Sequence, residues 1–444
     1  MLKAYHNRIQ FAWPPLLGRR HSVLERGWLQ PFGRQLIIVD GQRTEPVTRR
    51  NLCLMMSTLY ASQGCWWPAL SMHLRSLGID PRSAGWIFSS LALASFFAPM
   101  VHGRLADRKI AAEKILAACY FLGALLLLGV TQYHGTNAVG LFVFFMAYWL
   151  LVAPCFGLIN AISMRHLAQP REEFSGVRLW GTIGWMCGSY AVAAVLLMTG
   201  PTTSESGMPA IFYVGAVLAV LTGLQALRLT PSPPMESSGA GFIHALRSDL
   251  LKQKDFVVYL SIGFGVCLTT PFVFQLIPAL LEHNGLSRPQ VLAAMTLGQI
   301  PEVFALWTLP WIIRRIGFRG ALFLGLLSWV IRYGVIALGL PLIWIILSMP
   351  MQGLAIGFFT VGGQVFVDEK APRESRASIQ ALQVMITSGL GSFLGSLLAG
   401  ECQMIWSNRP EIVFLVPCLI DVALCFVLLL LFHPTIGQST IKET

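Results

Sequence analysis

The chain has 444 residues, of which 55% are hydrophobic and only 12% charged. Soluble domains carry about 25% charged residues, so this composition excludes an ordinary soluble protein and indicates a polytopic membrane protein. A formal net charge of +11 would suggest a nucleic-acid partner in a soluble chain; here the basic residues gather in short loops between apolar segments, which is membrane topology, and no nucleic acid is expected.

The first fifty residues hold only "LIIV" as an apolar core, short of the roughly 7–15 residues of a signal h-region. They read as an N-terminal cytoplasmic extension (1–50) or an over-called start. Twelve segments then approach the roughly 20 apolar residues that cross a bilayer. They begin near Leu52, Ala84, Ile115, Val139, Val177, Ile211, Val257, Val291, Ala321, Pro341, Ala377 and Ile412. The longest polar interruption, 229–254, is a Pro/Ser/Gly linker followed by "FIHALRSDLLKQ", which has the pattern of an amphipathic surface helix. It separates a bundle at 51–228 from a second at 255–433, with a tail at 434–444. The expected fold is all-α, with twelve transmembrane helices in two bundles of six. The nine cysteines, Cys53 to Cys425, show no metal-like spacing, so neither disulfides nor a metal site is expected. Of the 32 lysines and arginines, 27 lie in the two tails and the even-numbered connections, whereas the odd-numbered connections hold four. By the positive-inside rule both termini face the cytoplasm.

Twelve spans as two sixes, with a cytoplasmic linker, resemble the plan of the major facilitator superfamily. The loop "GRLADRK" after the second span is similar to that superfamily's signature there, which makes Gly103, Asp107 and Arg108 a gating motif. A substrate site between the halves, near the midplane, follows from the resemblance.

Charged and amide groups inside a bilayer are costly and therefore informative. Glu302, in "LGQIPEVFALW", has Gln299 three residues earlier on the same helical face. Glu302 is the proton-coupling candidate, with Arg332 of the ninth span biasing its proton; a fixed Glu302–Arg332 pair is the structural alternative. Asp421, in the twelfth span, reads as a structural hydrogen bond. No histidine lies deep inside a span, which argues against a histidine relay. In "FSGVRLWGTIGW", Arg178, Thr182 and Trp185 fall at i, i+4 and i+7, one stripe offering a guanidinium, a hydroxyl and an indole. Those groups suit a polyhydroxylated ring or a base, while Gly181 and Gly184 permit close packing. Gln63, Asn160, Gln275 and Gln352 are embedded amides that could bind a ligand or cross-link helices. The small residues of "SGLGSFLGSLLAG" in the eleventh span read as a packing face.

Together, "FGLINAIS", "VRLWGTIGW", "QIPE", "WVIRYGVIALG", "GQVFVDEKAPRESRASIQAL" and "IFSSLALASFFAP" resemble the nucleoside:proton symporters, in order from about residue 51 to 432. That resemblance implies nucleoside import driven by the proton gradient, with no cofactor. It carries binding roles to Arg178, Thr182, Gln299 and Glu302, and an aromatic role to Trp185. The sequence departs from those symporters in its C-terminal half. "TTPFVFQLIPALL" places Pro271 and Phe274 on the stripe where amides are expected, and Gln352 and Ile356 replace aromatic positions. "FSGVRLWGTIGW" is also similar to the oligosaccharide:proton symporters, although the tenth span lacks their embedded His and Glu. An exporter or a non-transporting sensor is the remaining alternative. An enzyme is not expected, because no nucleophile–base pair, metal cluster or phosphate loop is present. The partners expected are a nucleoside or sugar, protons and the lipid bilayer, with the chain a monomer in a bacterial inner membrane.

Overall fold

A computed structural model describes residues 38–39, 42–43, 46–106, 111–133, 137–199, 208–232, 249–372 and 375–434. Ahead of the first span, Ile38–Val39 pairs antiparallel with Gln42–Arg43. Everything else that is regular is helical. Eight continuous stretches among the described residues are long and apolar enough to cross a bilayer. One of them, Arg288–Ala337, runs through Gly317 at φ 70°. That left-handed conformation suits glycine and folds the stretch into the eighth and ninth spans. The first span (Pro46–Gly64 continuing into Leu70–Ser76), the second (Pro81–Ala106) and the sixth (Ala210–Ala226) complete the twelve. The third, fourth and fifth are Ala112–Thr131, Ala138–His166 and Pro170–Thr199. The seventh is Lys254–His283, the tenth Leu342–Lys370, the eleventh Ser378–Ile405 and the twelfth Pro410–Leu431.

Local chemistry explains several boundaries. Asn137 caps the fourth span by accepting from the N–H groups of Val139 and Gly140, and Asp80 caps the second by accepting from the Ser83 N–H at 3.0 Å. Pro271 opens the second half of the seventh span, where its missing N–H costs nothing. The tenth and eleventh spans each contain a π-helical segment, Ile356–Val361 and Met385–Gly391.

The first span packs on the fifth and sixth, the second on the fourth, and the third on the fourth and sixth; the seventh packs on the eleventh and twelfth, and the eighth and ninth on the tenth. Glycines set the closest approaches. A Cβ on Gly184 would strike the Ser57 carbonyl and lie 2.7 Å from Ser57 Cα, and one on Gly188 would lie 3.0 Å from Ala61 Cα. Gly64 returns the contact against the backbone of Trp185. The first and fifth spans therefore touch backbone to backbone. The eleventh span's small residues are a packing face too: Gly391 and Gly395 meet the Phe264 and Leu268 carbonyls of the seventh span, and Gly389 meets Phe96 of the second.

The halves meet along three seams, second with eleventh, fifth with eighth, and first with seventh. At the end carrying the odd-numbered connections the seams are tight. Arg82 grips the Glu401 carboxylate in a two-pronged pair, with Nη2 to Oε2 at 2.9 Å. Beside it, a Cβ on Gly400 would lie 2.7 Å from the Pro81 carbonyl. Across the next seam, Tyr190 and Thr296 share a hydroxyl bond of 2.8 Å. Gly103 of the gating motif lies within helix Pro81–Ala106, whereas Asp107, Arg108 and residues 233–248 of the linker lie outside the described residues.

Candidate substrate site between the fifth and eighth spans

Arg178 is held by the first span. Its Cζ lies 4.3 Å from the centroid of the Tyr60 ring, a cation–π arrangement, and Tyr60 in turn meets Phe156 edge-on at 5.1 Å. Gly181, one turn on, makes this possible: a Cβ there would come within 2.8 Å of both Arg178 Nη1 and Tyr60 Cδ2. Nothing in the sequence marks Tyr60, three residues ahead of Gln63, for this role; the absent side chain at Gly181 leaves room for its ring.

Farther along the same stripe, Trp185 meets Phe274 of the seventh span at 6.3 Å, edge to face, and Phe274 also meets Trp67 at 6.4 Å. Phe274 thus faces the fifth-span stripe across the seam between halves. Thr182 and Gln299 are both buried and share the wall of a cleft of about 440 Å³ between the fifth and eighth spans.

Glu302 is nine-tenths buried and has no hydrogen-bond or ion-pair partner among the described residues. The charge acting on it is that of Arg178, from the opposite half, and both act on Tyr60. Against the same turn lies the tenth span. A Cβ on Gly353 would come within 2.5 Å of the Glu302 nitrogen, and one on Gly298 within 3.4 Å of Gln352 Cβ. Gln352 therefore stands beside Gln299 and Glu302.

Arg332 does not join them. It is fully buried, and its Nη1 donates to the carbonyls of Met349 at 3.1 Å and Ser348 at 3.3 Å. Pro350 follows immediately and interrupts the tenth span, so the arginine serves carbonyls at a helix break. It is bonded to these carbonyls and not to Glu302. Gln63 is also committed elsewhere: its Oε1 accepts from the Tyr148 hydroxyl at 2.8 Å, and its amide donates to Ser62 at 3.1 Å, a cross-link between the first and fourth spans. Asp421 accepts from the Thr269 hydroxyl at 3.1 Å, tying the twelfth span to the seventh. Asn160 Oδ1 and Gln275 Nε2 are buried polar atoms without a partner among the described residues, two sites where a ligand or water would be accommodated.

The arrangement therefore offers a guanidinium, a hydroxyl, two amides and an unpaired acid around one seam, with an aromatic pair beside it.

Residues 47–436 match the family described as Nucleoside H+ symporter. A putative nucleoside transporter of Escherichia coli, YegT, is 29% identical over 362 residues, covering 80% of this chain and 84% of that protein. The nucleoside permease NupG of Escherichia coli is 27% identical over 378 residues, covering 79% and 88%. The crystal structure of nucleoside transporter NupG superposes with a TM-score of 0.75 at 23% identity, over 87% of this chain and all of that one; at that identity the match speaks for the fold.

Proposed function

The chain belongs to the nucleoside H+ symporter family and is a membrane transporter rather than an enzyme, and from that premise we propose that it imports nucleosides with protons by rocking its two halves about the seam just described. The observation that carries this reading is a buried acid without a partner among the described residues, Glu302, in the span that packs across the seam on the span bearing Arg178. Arg178, Thr182, Gln299 and Gln352 hydrogen-bond the ribose and base, and Trp185 with Phe274 covers the flat face of the base. Glu302 carries the coupling proton. Arg178, held on Tyr60, moves toward the carboxylate as the proton leaves. Basic residues concentrated in the even-numbered connections support cytoplasmic termini. The closed Arg82–Glu401 end then faces away from the cytoplasm, and this conformer is the inward-facing one. Gly103, Asp107 and Arg108 act in switching between conformers.

Uptake of labelled uridine, adenosine and a galactoside into proteoliposomes, with and without an inward proton gradient, tests the proposal. Nucleoside uptake should follow the gradient, and Glu302→Gln should abolish it while counterflow exchange persists. Uptake of the galactoside alone would replace the nucleoside reading with a sugar one. Efflux driven by an outward gradient, with none of the three taken up, would overturn import.

A further inference from the structure

The cleft between the fifth and eighth spans has a second face. Besides Thr182 and Gln299, it is lined by Leu179, Ile183 and Met186 of the fifth span and by Ile300, Val303, Phe304 and Trp307 of the eighth. Ile300, Phe304 and Trp307 are 62%, 56% and 65% exposed. They lie on the side of the helix opposite Glu302, Ala305 and Leu309, which are buried and of which the last two pack on the tenth span. In a bilayer this face meets lipid.

The exposed row continues at helical spacing through Trp311, 57% exposed, to Arg314 and Arg315. Ile300 to Trp311 is eleven helical steps, about 16 Å at 1.5 Å each, against about 15 Å for one leaflet of a hydrocarbon core about 30 Å thick. The row therefore spans one leaflet, with a tryptophan at the level where tryptophans favour the headgroup boundary. Arg315 Cζ sits 5.7 Å from the Trp311 ring. Arg314 and Arg315 have no ion-pair partner among the described residues, and the sequence carries no acidic residue from 303 to 367. The positive-inside reading places this eighth-to-ninth connection on the cytoplasmic side.

We propose that this seam is a binding site for an anionic phospholipid of the cytoplasmic leaflet, an acyl chain lying in the cleft and the phosphate held by Arg314 and Arg315. Two features separate it from ordinary lipid contact. The cleft is concave and set between two parts that must move, and about two helical turns beyond its end at Trp307 stand two guanidiniums on the same helix, with no acidic residue from 303 to 367. A guanidinium fork suits a phosphate. A chain seated there wedges the fifth and eighth spans apart at the level of Thr182 and Gln299, so occupancy favours the conformer that is open on that side.

Native mass spectrometry of the purified full chain, titrated with phosphatidylglycerol or phosphatidylethanolamine of identical acyl chains, tests this without reference to transport. The first phosphatidylglycerol should bind about 30-fold more tightly, as two guanidiniums at about 1 kcal/mol each would give. Arg314→Gln with Arg315→Gln should erase that preference, whereas Arg228→Gln, on another exposed arginine, should leave it. Val303→Phe, which fills the cleft, should weaken both lipids while each variant keeps its thermal unfolding midpoint. Equal binding of the two lipids, a preference that survives the double arginine variant, or equal loss in Arg228→Gln would overturn the proposal. If the double variant does not fold, Val303→Phe decides alone: undiminished lipid binding refutes the cleft.

Discussion

Replacing Gly184 by alanine places a Cβ 2.7 Å from Ser57 Cα and against its carbonyl oxygen. Those are backbone atoms of the first span, so no side-chain rotation relieves the clash. Ordinary contact begins near 3.4 Å, and because the carbonyl oxygen is nearer still than the Cα, the first span must retreat by more than about 0.7 Å, enough to forfeit a sizeable part of each van der Waals contact along the seam. Overpacking of this kind costs about 1–3 kcal/mol, offset by the roughly 0.5–1 kcal/mol that alanine gains over glycine inside a helix. Gly176, on the same helix, supplies the reverse case. A Cβ there meets only the Arg49 guanidinium, at 3.7 Å, so Gly176→Ala should be stabilising by about 0.5–1 kcal/mol. The assay is thermal exposure of the buried thiols of Cys65 and Cys155 to a thiol-reactive dye, at one heating rate because such unfolding is irreversible. Gly184→Ala should unfold a few degrees below the parent and Gly176→Ala slightly above it. Nucleoside uptake should fall only in Gly184→Ala, because Tyr60 lies one turn from Ser57 and retreats from Arg178 with it. Equal midpoints for the two variants would refute the backbone-to-backbone seam.

Other expectations follow from single contacts. Arg82→Cys with Glu401→Cys, oxidised, should stop uptake until a reductant is added; a cross-linked protein that still transports would mean that these ends do not separate. Thr269→Val removes the hydroxyl that serves the fully buried Asp421 and should cost about 1–3 kcal/mol, with Thr269→Ser restoring the midpoint. In a double-mutant cycle on counterflow exchange, Glu302→Gln should couple to Arg178→Gln by about 0.5–3 kcal/mol and be additive with Arg332→Gln to within about 0.5 kcal/mol; the opposite pattern would return Arg332 to the site. The side-chain and backbone hydrogen bonds from Ser83 hold the Asp80 carboxyl below the usual carboxylate range. With the native value below the unfolded one, its stabilisation is complete above about pH 4 and fades as pH falls through the native value. Asp80→Ala should thus cost about 0.5–1 kcal/mol near neutrality and nothing in strong acid, which unfolding midpoints across pH would show.

The spans were legible because twenty apolar residues in a row have few other uses, and the fifth-span stripe because helical periodicity places 178, 182 and 185 on one face. Periodicity says nothing, however, about which face of another helix lies opposite. Arg332 and Glu302 look like natural partners as the only charges deep in neighbouring spans, yet the carbonyls of Ser348 and Met349, where the tenth span breaks before Pro350, claim the arginine first. Gln63 looks available until Tyr148, 85 residues away, takes its oxygen. Tyr60 escaped notice for the complementary reason: its role depends on an absent side chain at Gly181, and a missing atom has no signature of its own in a string of residues.

The π-helical segments of the tenth and eleventh spans carry one more consequence. Each accommodates one residue beyond the α-helical count, so the residues after it are turned by about 100° relative to a helix without it. Removing a single residue from Ile356–Val361 would leave a regular helix and rotate one end of the tenth span relative to the other, reassigning which side chains look into the substrate seam and which look into its neighbours. Two places in this chain can thereby exchange the lining of the seam through a one-residue change in length, a route to new ligand preference that needs no substitution at the site itself.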